Sequence, residues 1–280
     1  MNLTVIILTF NSEQSVGAVI ESCRSLAERI LVVDSGSQDG TQELVNSLGA
    51  EVLEHPFEHY AAQRNWAQEQ ANLQPDDWVL HLDSDEELSP ELAASIKSAL
   101  ENPQADGYLM RRLTHFWGKP IRFGHMNPSW HMRLYRAGKG RCEDRLYDQH
   151  FVCDGPTQKL KGVLLDRQNI DLERWTATHN RWSTMEAIEG TSIRTDRSGQ
   201  LKERLFGDRR ERKRWIKNRL WYRAPLFLRT YIFFFYSYIL KLGFLDGRVG
   251  LVYHTLQAFW FRFLVDAKIE ERERTKKLKL

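Results

Sequence analysis

Short runs of apolar, largely β-branched residues recur through roughly the first hundred positions, at Leu3–Leu8, Ile30–Val33, Glu51–Leu53 and Trp78–Leu82. Helix-compatible segments fill the intervals, from about Glu13 to Ala27, Gln38 to Leu48 and His59 to Ala71. Apolar runs without polar alternation are strands buried on both faces. Strand and helix in alternation require a parallel sheet with right-handed crossovers, since each helix must carry the chain back to the edge where the previous strand began. The order of elements therefore restricts the chain to an α/β fold. It also says where a ligand belongs, because in open α/β sheets ligands collect outside the carboxyl ends of the strands.

Two pieces of the chain stand at such ends, Val32-Val33-Asp34-Ser35-Gly36-Ser37-Gln38-Asp39-Gly40-Thr41 and His81-Leu82-Asp83-Ser84-Asp85-Glu86. Asp83 and Asp85 are one residue apart, so in an extended chain both carboxylates leave the same face. Mg²⁺ or Mn²⁺ is commonly held by one or two carboxylates plus substrate phosphates, and this pair supplies that much. The alternative is a solvated acidic turn ahead of the helix starting near Ser89-Pro90-Glu91. Ser35, Gly36 and Ser37 form a tight turn whose backbone N–H groups can face a ligand, while Asp39 or Ser37 can instead cap the following helix.

These stretches, together with Ile6-Ile7-Leu8-Thr9-Phe10-Asn11, Gln63-Arg64-Asn65 and His179-Asn180-Arg181-Trp182-Ser183, resemble the inverting family 2 glycosyltransferases of the GT-A fold. Within that family the chain looks most like bacterial enzymes that add a sugar to lipopolysaccharide core or related envelope glycans. The resemblance implies a Rossmann-like nucleotide-binding mixed sheet flanked by helices. The catalytic domain would occupy residues 1–200, with a nucleotide-sugar half at 1–100 and an acceptor half at 101–200, and a helical extension would follow at 201–280. It implies further that Thr9, Asn11, Ser35 and Gly36 line the nucleotide pocket and that Asp34 accepts a hydrogen bond from the base. Arg64 would approach the donor, and Asp83 and Asp85 would hold the ribose and a divalent cation, Asp85 being the first choice of metal ligand. Arg181, with His179, would meet the leaving diphosphate from a helix running from Asp171 to Glu189.

Inverting transfer needs a base that takes the acceptor hydroxyl proton as the anomeric carbon is attacked, and a carboxylate is the usual solution. In the related enzymes an acidic residue follows a strand and a short turn, where this chain has Arg145-Leu146-Tyr147-Asp148-Gln149-His150. Asp148 is the candidate base, with Asp144 and Glu143 as rivals. The commoner residue there is Glu, and Asp shortens the reach by one methylene. His150 reads as a structural histidine, and Trp130-His131 with the strand-like Arg133–Arg136 either contacts acceptor or packs.

Cys23, Cys142 and Cys153 lack metal-ligand spacing and read as reduced thiols. Residues 3–8 read as a strand and not as a leader, so the expectation is a cytoplasmic protein, peripheral on the inner face of the membrane. The net charge is only +3, yet Lys and Arg crowd Lys202–Arg223, where the acids are Glu203, Asp208 and Glu211. An uncharged aromatic run from Thr230 to Leu240 and a helical-spaced stripe at Val249, Val252, Leu256, Phe259, Trp260, Phe263 and Leu264 follow. Aromatic helices beside a basic segment suit the interface of an anionic leaflet, where the acceptor would be met. The competing reading is that they pack as core or as a homodimer surface. The preferred function is transfer of glucose from UDP-glucose onto a lipid-linked acceptor such as lipopolysaccharide core. An acceptor of polyprenyl phosphate, already ionised, would need no base. Nucleic-acid binding through Arg209–Arg219, with Trp215 and Trp221 stacking on bases, would leave the motifs at the sheet edge idle.

Overall fold

In a computed structural model of the chain, the described residues are 2–168, 171–191, 201, 204–207 and 209–277. They fall into two units: Met1–His115 with Ser129–Asp144 and Gln149–Asn169, and Phe116–Pro128 with Arg145–Asp148 and Ile170–Leu280. The domain boundary expected at residue 200 lies outside the described residues.

The first unit is built on β1 (Leu3–Thr9), buried along its whole length. It pairs in parallel with β2 (Arg29–Asp34) on one side and β4 (Trp78–Asp83) on the other, and β2 pairs in parallel with β3 (Glu51–Glu54). Side chains alternate across the sheet as strand geometry requires. Leu3, Val5 and Ile7 enter one core with Val32, Trp78, Leu80 and Leu82, while Ile6 and Leu8 enter a second core with Leu31, Val33 and Val79. The crossovers are α1 (Val16–Cys23), α2 (Thr41–Ser47) and α3 (Tyr60–Gln70). In α1 the buried residues Val16, Val19, Ile20 and Cys23 fall at three- and four-residue spacing, which places one stripe against the sheet.

After β4 come the short β5 (Glu86–Leu88) and α4 (Pro90–Glu101). The Ser89 hydroxyl caps α4 by accepting from Leu92 N–H at 3.2 Å, and Pro90 occupies the first turn, where no hydrogen bond is lost. Then the direction reverses. β6 (Gly107–Phe116, its last residue belonging to the second unit), the two-residue β7 (Lys119–Pro120, second unit) and β8 (Ser129–Arg136) follow, and β8 lies antiparallel between β4 and β6. β9 (Gly140–Cys142) and β10 (Phe151–Cys153) form a separate antiparallel pair. β11 (Thr157–Lys159) joins β6 in parallel, and β12 (Leu164–Gln168) joins β5 antiparallel. The main sheet reads β3-β2-β1-β4-β8-β6-β12-β5. It is mixed, parallel where strand and helix alternate and antiparallel beyond.

The second unit is helical in its larger part. α5 (Leu172–Thr191) is followed by α6 (Arg209–Arg219), α7 (Leu228–Phe235), α8 (Gly247–His254) and α9 (Phe261–Lys277). A π-helical turn, Tyr236–Leu240, extends α7, and another, Thr255–Trp260, joins α8 to α9. Phe116, Ile121, Trp175 and Tyr253 form one core; Ala187, Phe261, Val265 and Ile269 form another between α5 and α9. Arg229 and Asp266 make an ion pair in which the side chains are 2% and 1% exposed. The charged stretch from Glu270 to Arg274 continues α9 as helix. Among the described residues no helix is long and apolar enough to cross a membrane.

Candidate functional site

The carboxyl ends of β1, β2 and β4 are in register: Thr9 lies opposite Asp34, and Leu8 opposite Asp83. The motifs that the sequence separates by tens of residues therefore share one edge. Asp34 is fully buried and its oxygens are crowded with donors. Oδ1 accepts from the Thr9 hydroxyl at 3.0 Å and the Ser37 hydroxyl at 2.5 Å. Oδ2 accepts from Gly36 N–H at 3.0 Å, Ser37 N–H at 2.8 Å and Gln42 Nε2 at 3.0 Å. Burial works to raise its pKa, but the bonds from Ser37, Gln42 and Thr9 hold it below the usual carboxylate range. What the geometry shows for Asp34 is a carboxylate that builds the turn after β2; to accept from a base it would have to exchange one of these donors, and Gln42, half-buried on α2, is the one among them that lies outside the turn and the strands.

Around that turn, Asn11 and Gly36 both have positive φ, 48° and 87°. Asn tolerates this region and Gly enters it without strain. The Asn11 amide oxygen accepts from Gln38 N–H at 2.8 Å, and the Ser37 hydroxyl accepts from Asn11 N–H at 2.8 Å, which staples the loop after β1 to the loop after β2. Ser35 Oγ accepts from Gln63 Nε2 at 3.2 Å, tying in α3 next to Arg64. Ser12 Oγ meets Ser84 Oγ at 2.8 Å, tying in the loop after β4. Asp39 caps the loop onto α2, accepting from Thr41 N–H at 3.2 Å and from the Thr41 hydroxyl.

Beside this edge lies a cluster of acids and arginines. Asp83 Oδ1 accepts from Arg64 Nη2 at 2.7 Å and Oδ2 from Arg133 Nη2 at 2.8 Å. The same Arg133 nitrogen reaches Glu86 Oε1 at 2.7 Å. Arg112 stands 3.7 Å from Glu86 and 3.5 Å from Asp166, which also accepts from the Thr114 hydroxyl at 2.9 Å. Burial opposes ionisation of Asp83, yet Arg133 and Arg64 hold its carboxyl far below the ordinary range. Asp85 has the opposite setting. Burial first, then Asp166, Asp83 and Glu86, push its pKa well above the ordinary value. A carboxylate crowded by like charges gains most from a cation, so Asp85 fits a hard divalent ion. Asp83, engaged by two arginines, would have to release one of them to join it. No three His, Cys, Asp or Glu side chains gather as a metal-ligating group among the described residues, so the remaining ligands would have to come from substrate phosphates or water.

A cavity of about 150 Å³ opens against the cluster, lined by Arg64, Asp83, Arg112, His131, Arg133 and His150 among others. His81, whose ring packs 4.6 Å from that of Phe151, is 2% exposed, and neither ring nitrogen has a hydrogen-bond partner among the described residues. Burial, with Arg64 and Arg133 nearby, keeps it neutral. Of the rivals for the base, Asp144 is 90% exposed at its side chain, 3.9 Å from His59. Glu143 is buried and accepts from His150 N–H at 2.7 Å and meets His150 Nδ1 at 3.1 Å. His150, read as structural from sequence, therefore lines the cavity with its ring braced by a carboxylate.

Asp148 and Arg181 belong to the second unit. Asp148 has φ 57°, an uncommon backbone for a non-glycine residue. Its carboxylate is 3.0 Å from Lys217 Nζ and its carbonyl accepts from Arg214 Nη2 at 3.0 Å. Lys217 also lies 2.9 Å from Glu186, which pairs with Arg262 at 2.8 Å. Arg181 is exposed on α5. His179 is not a surface cation: it is buried, its ring stacks 3.4 Å from Trp175, and its Nδ1 meets Trp175 O at 2.9 Å. Burial brings its pKa down to about 4, so at neutral pH it carries no charge to offer a diphosphate. Sequence reading missed Arg112 and Asp166 and named Arg133 only as an acceptor contact or packing residue; the one signal for the arginines was their recurrence inside strand-like stretches, where a buried cation needs acids.

The sequence profile of the Glycosyl transferase family 2 domain matches residues 4–158. A lipopolysaccharide core biosynthesis glycosyltransferase, LpsC, of Rhizobium meliloti is 30% identical over 193 residues, 66% of this chain and 70% of that protein. An uncharacterized glycosyltransferase of Rickettsia bellii is 35% identical over 54% of this chain and 47% of the relative, and one of Rickettsia typhi is 34% identical over 38% and 36%. The matched stretch thus spans less than half the length of these rickettsial relatives. Mycobacterium tuberculosis glucosyl-3-phosphoglycerate synthase, solved with Mn²⁺ and UDP-glucose, is 21% identical over 41% of this chain and 44% of that chain, with a TM-score of 0.33, a likeness too slight to carry an argument.

Proposed function

Because the chain belongs to glycosyl transferase family 2, we propose that it transfers a hexose, glucose from UDP-glucose being the first donor to try, with inversion, onto a lipid-linked envelope glycan of lipopolysaccharide-core type. The observation that carries this reading is the single edge at which the Asp34 turn, the Asn11 loop and the Asp83-Ser84-Asp85 loop meet. The acceptor class draws on the name of the rhizobial relative. Thr9, Asn11, Ser35 and Gly36 shape the nucleotide pocket, and Asp34 holds that pocket's turn and accepts from the base when Gln42 yields. Arg64 and Asp83 address the ribose and diphosphate side. Asp85, with Asp83 on release from an arginine, holds a divalent cation, Mg²⁺ or Mn²⁺. When bound, such an ion neutralises charge developing on the leaving diphosphate. Arg181 adds a side-chain cation to the same task. Asp148 takes the proton of the acceptor hydroxyl, its carboxylate oriented by Lys217 Nζ at 3.0 Å.

Titration calorimetry with UDP and UDP-sugars, with and without Mn²⁺, tests the reading. The parent protein should bind UDP in a Mn²⁺-dependent manner, and Asp85→Ala should lose that dependence while keeping its fold. Binding of UDP to the variant with the parent's affinity and Mn²⁺ dependence would falsify the assignment of Asp85.

A further inference from the structure

The stretch Leu228–Leu240 is built inside out. On an ordinary amphipathic helix the apolar face is buried and the polar face meets water. Here Leu228, Tyr231, Ile232, Phe235, Ile239 and Leu240, which recur at helical spacing along one face, are each between 41% and 62% exposed, while Arg229, Thr230 and Ser237 are 3% or less. The inward polar groups are satisfied: Arg229 and Thr230 bond to Asp266, and Ser237 meets His125 and His254. The inversion is therefore a settled arrangement of the second unit, not a misplaced helix. It continues beyond Leu240, where Leu242, Phe244 and Leu245 and, on α8, Leu251 are also exposed. Contiguous outward apolar surface on this scale marks an interaction site.

We infer that this face lies in the headgroup and upper acyl region of an anionic membrane leaflet. Charge decides the occupant. Between Ala224 and Val265 the acid is Asp246, and it is turned to the protein, accepting from Arg122 N–H at 3.1 Å and Phe123 N–H at 3.0 Å. The exposed ions of the stretch are Lys241 and Arg248, both cations. An isologous dimer through the face would bring two sets of the same cations together with no acid to meet them, whereas an anionic lipid surface supplies the partner. Thirteen helical residues reach at most about 20 Å, short of the roughly 30 Å hydrocarbon layer, so the element lies in the interface and does not span. The inference rests on the lipid-linked acceptor reading for its purpose, but flotation itself reads neither donor nor acceptor.

Flotation of the full chain with phosphatidylcholine vesicles, with and without phosphatidylglycerol, tests it against the double variant Ile232→Glu, Leu240→Glu. Both side chains are exposed, so the variant should keep the parent's thermal midpoint and UDP affinity. The parent should float with the anionic vesicles and the variant at least tenfold less. A parent that stays in the lower fraction, or a variant that floats as well as the parent, overturns the inference. So does light scattering that shows a dimeric parent and a monomeric variant without lipid, which would assign the face to a second copy. Loss of UDP binding with flotation intact would instead count against the transferase reading alone.

Discussion

Asp85 is the residue whose environment most clearly asks for something absent from the protein alone. Its pKa is raised by burial and by Asp166, Asp83 and Glu86. A carboxyl with a raised folded pKa contributes stability that is present below its unfolded value of about 4 and lost as the pH rises through the folded one. Asp85→Asn, which cannot ionise, should therefore melt above the parent at pH 7 in the presence of a chelator, with the gap closing toward pH 4. Thermal midpoints across that range decide, and a variant less stable than the parent at pH 7 would refute the reading. Asp148→Asn should bind donor normally and lose about 10²–10⁴ in transfer, the usual contribution of a general base. A rate within threefold of the parent's, measured with any acceptor that supports turnover, would move the base to another carboxylate. The Asp34 turn and the placement of Asp83 and Asp85 could be read from sequence because each directly follows an apolar run, and the donors to Asp34 are local or lie at the end of β1. Arg133 could not be assigned to Asp83, since fifty residues and a strand reversal separate them. His179 misled because its neighbours in sequence, Arg181 and Asn180, face out while the histidine stacks inward on Trp175, one helical turn away.

Elements differ in how far their surroundings were legible. β1, β2 and β4 carry unbroken apolar runs, and the structure places them side by side as the alternation required. The antiparallel β8 and β6 were harder, because Arg111, Arg112 and Arg133 break their apolar pattern and no short hairpin joins them. The turn after β2 offers a clean test at this scale. Gly36 has φ 87°, and a Cβ built there would meet nothing within 4 Å. Gly36→Ala therefore costs only the backbone strain of a left-handed residue, about 1–2 kcal/mol. Chemical denaturation should show that loss with an unchanged denaturant slope. No loss would mean that the turn adopts another conformation in solution. The aromatic run of α7 and its π-helical turn was also visible in sequence, but its outward orientation was not, since it depends on Asp266 drawing Arg229 and Thr230 inward.

For the molecule as a whole, the helical C-terminal part cannot be treated as a detachable anchor. Phe261, Val265 and Ile269 of α9 form a core with Ala187 of α5. Truncation before Ala224 should leave that core open, and the product should bind a hydrophobic dye and elute as aggregate. A monodisperse truncated protein with native-like helix content would show that α5 and α6 hold together without α9. Exposed-face variants are for this reason the better probe of lipid contact. If the outward apolar stripe meets a membrane as proposed, it also changes what an acceptor subsite must supply. Once a protein and a lipid-anchored sugar share one surface, their encounter is governed by effective concentration within a thin layer, so a subsite of modest intrinsic affinity can still be filled most of the time. Selectivity can then reside in how the reacting hydroxyl is oriented, leaving tight capture to the lipid.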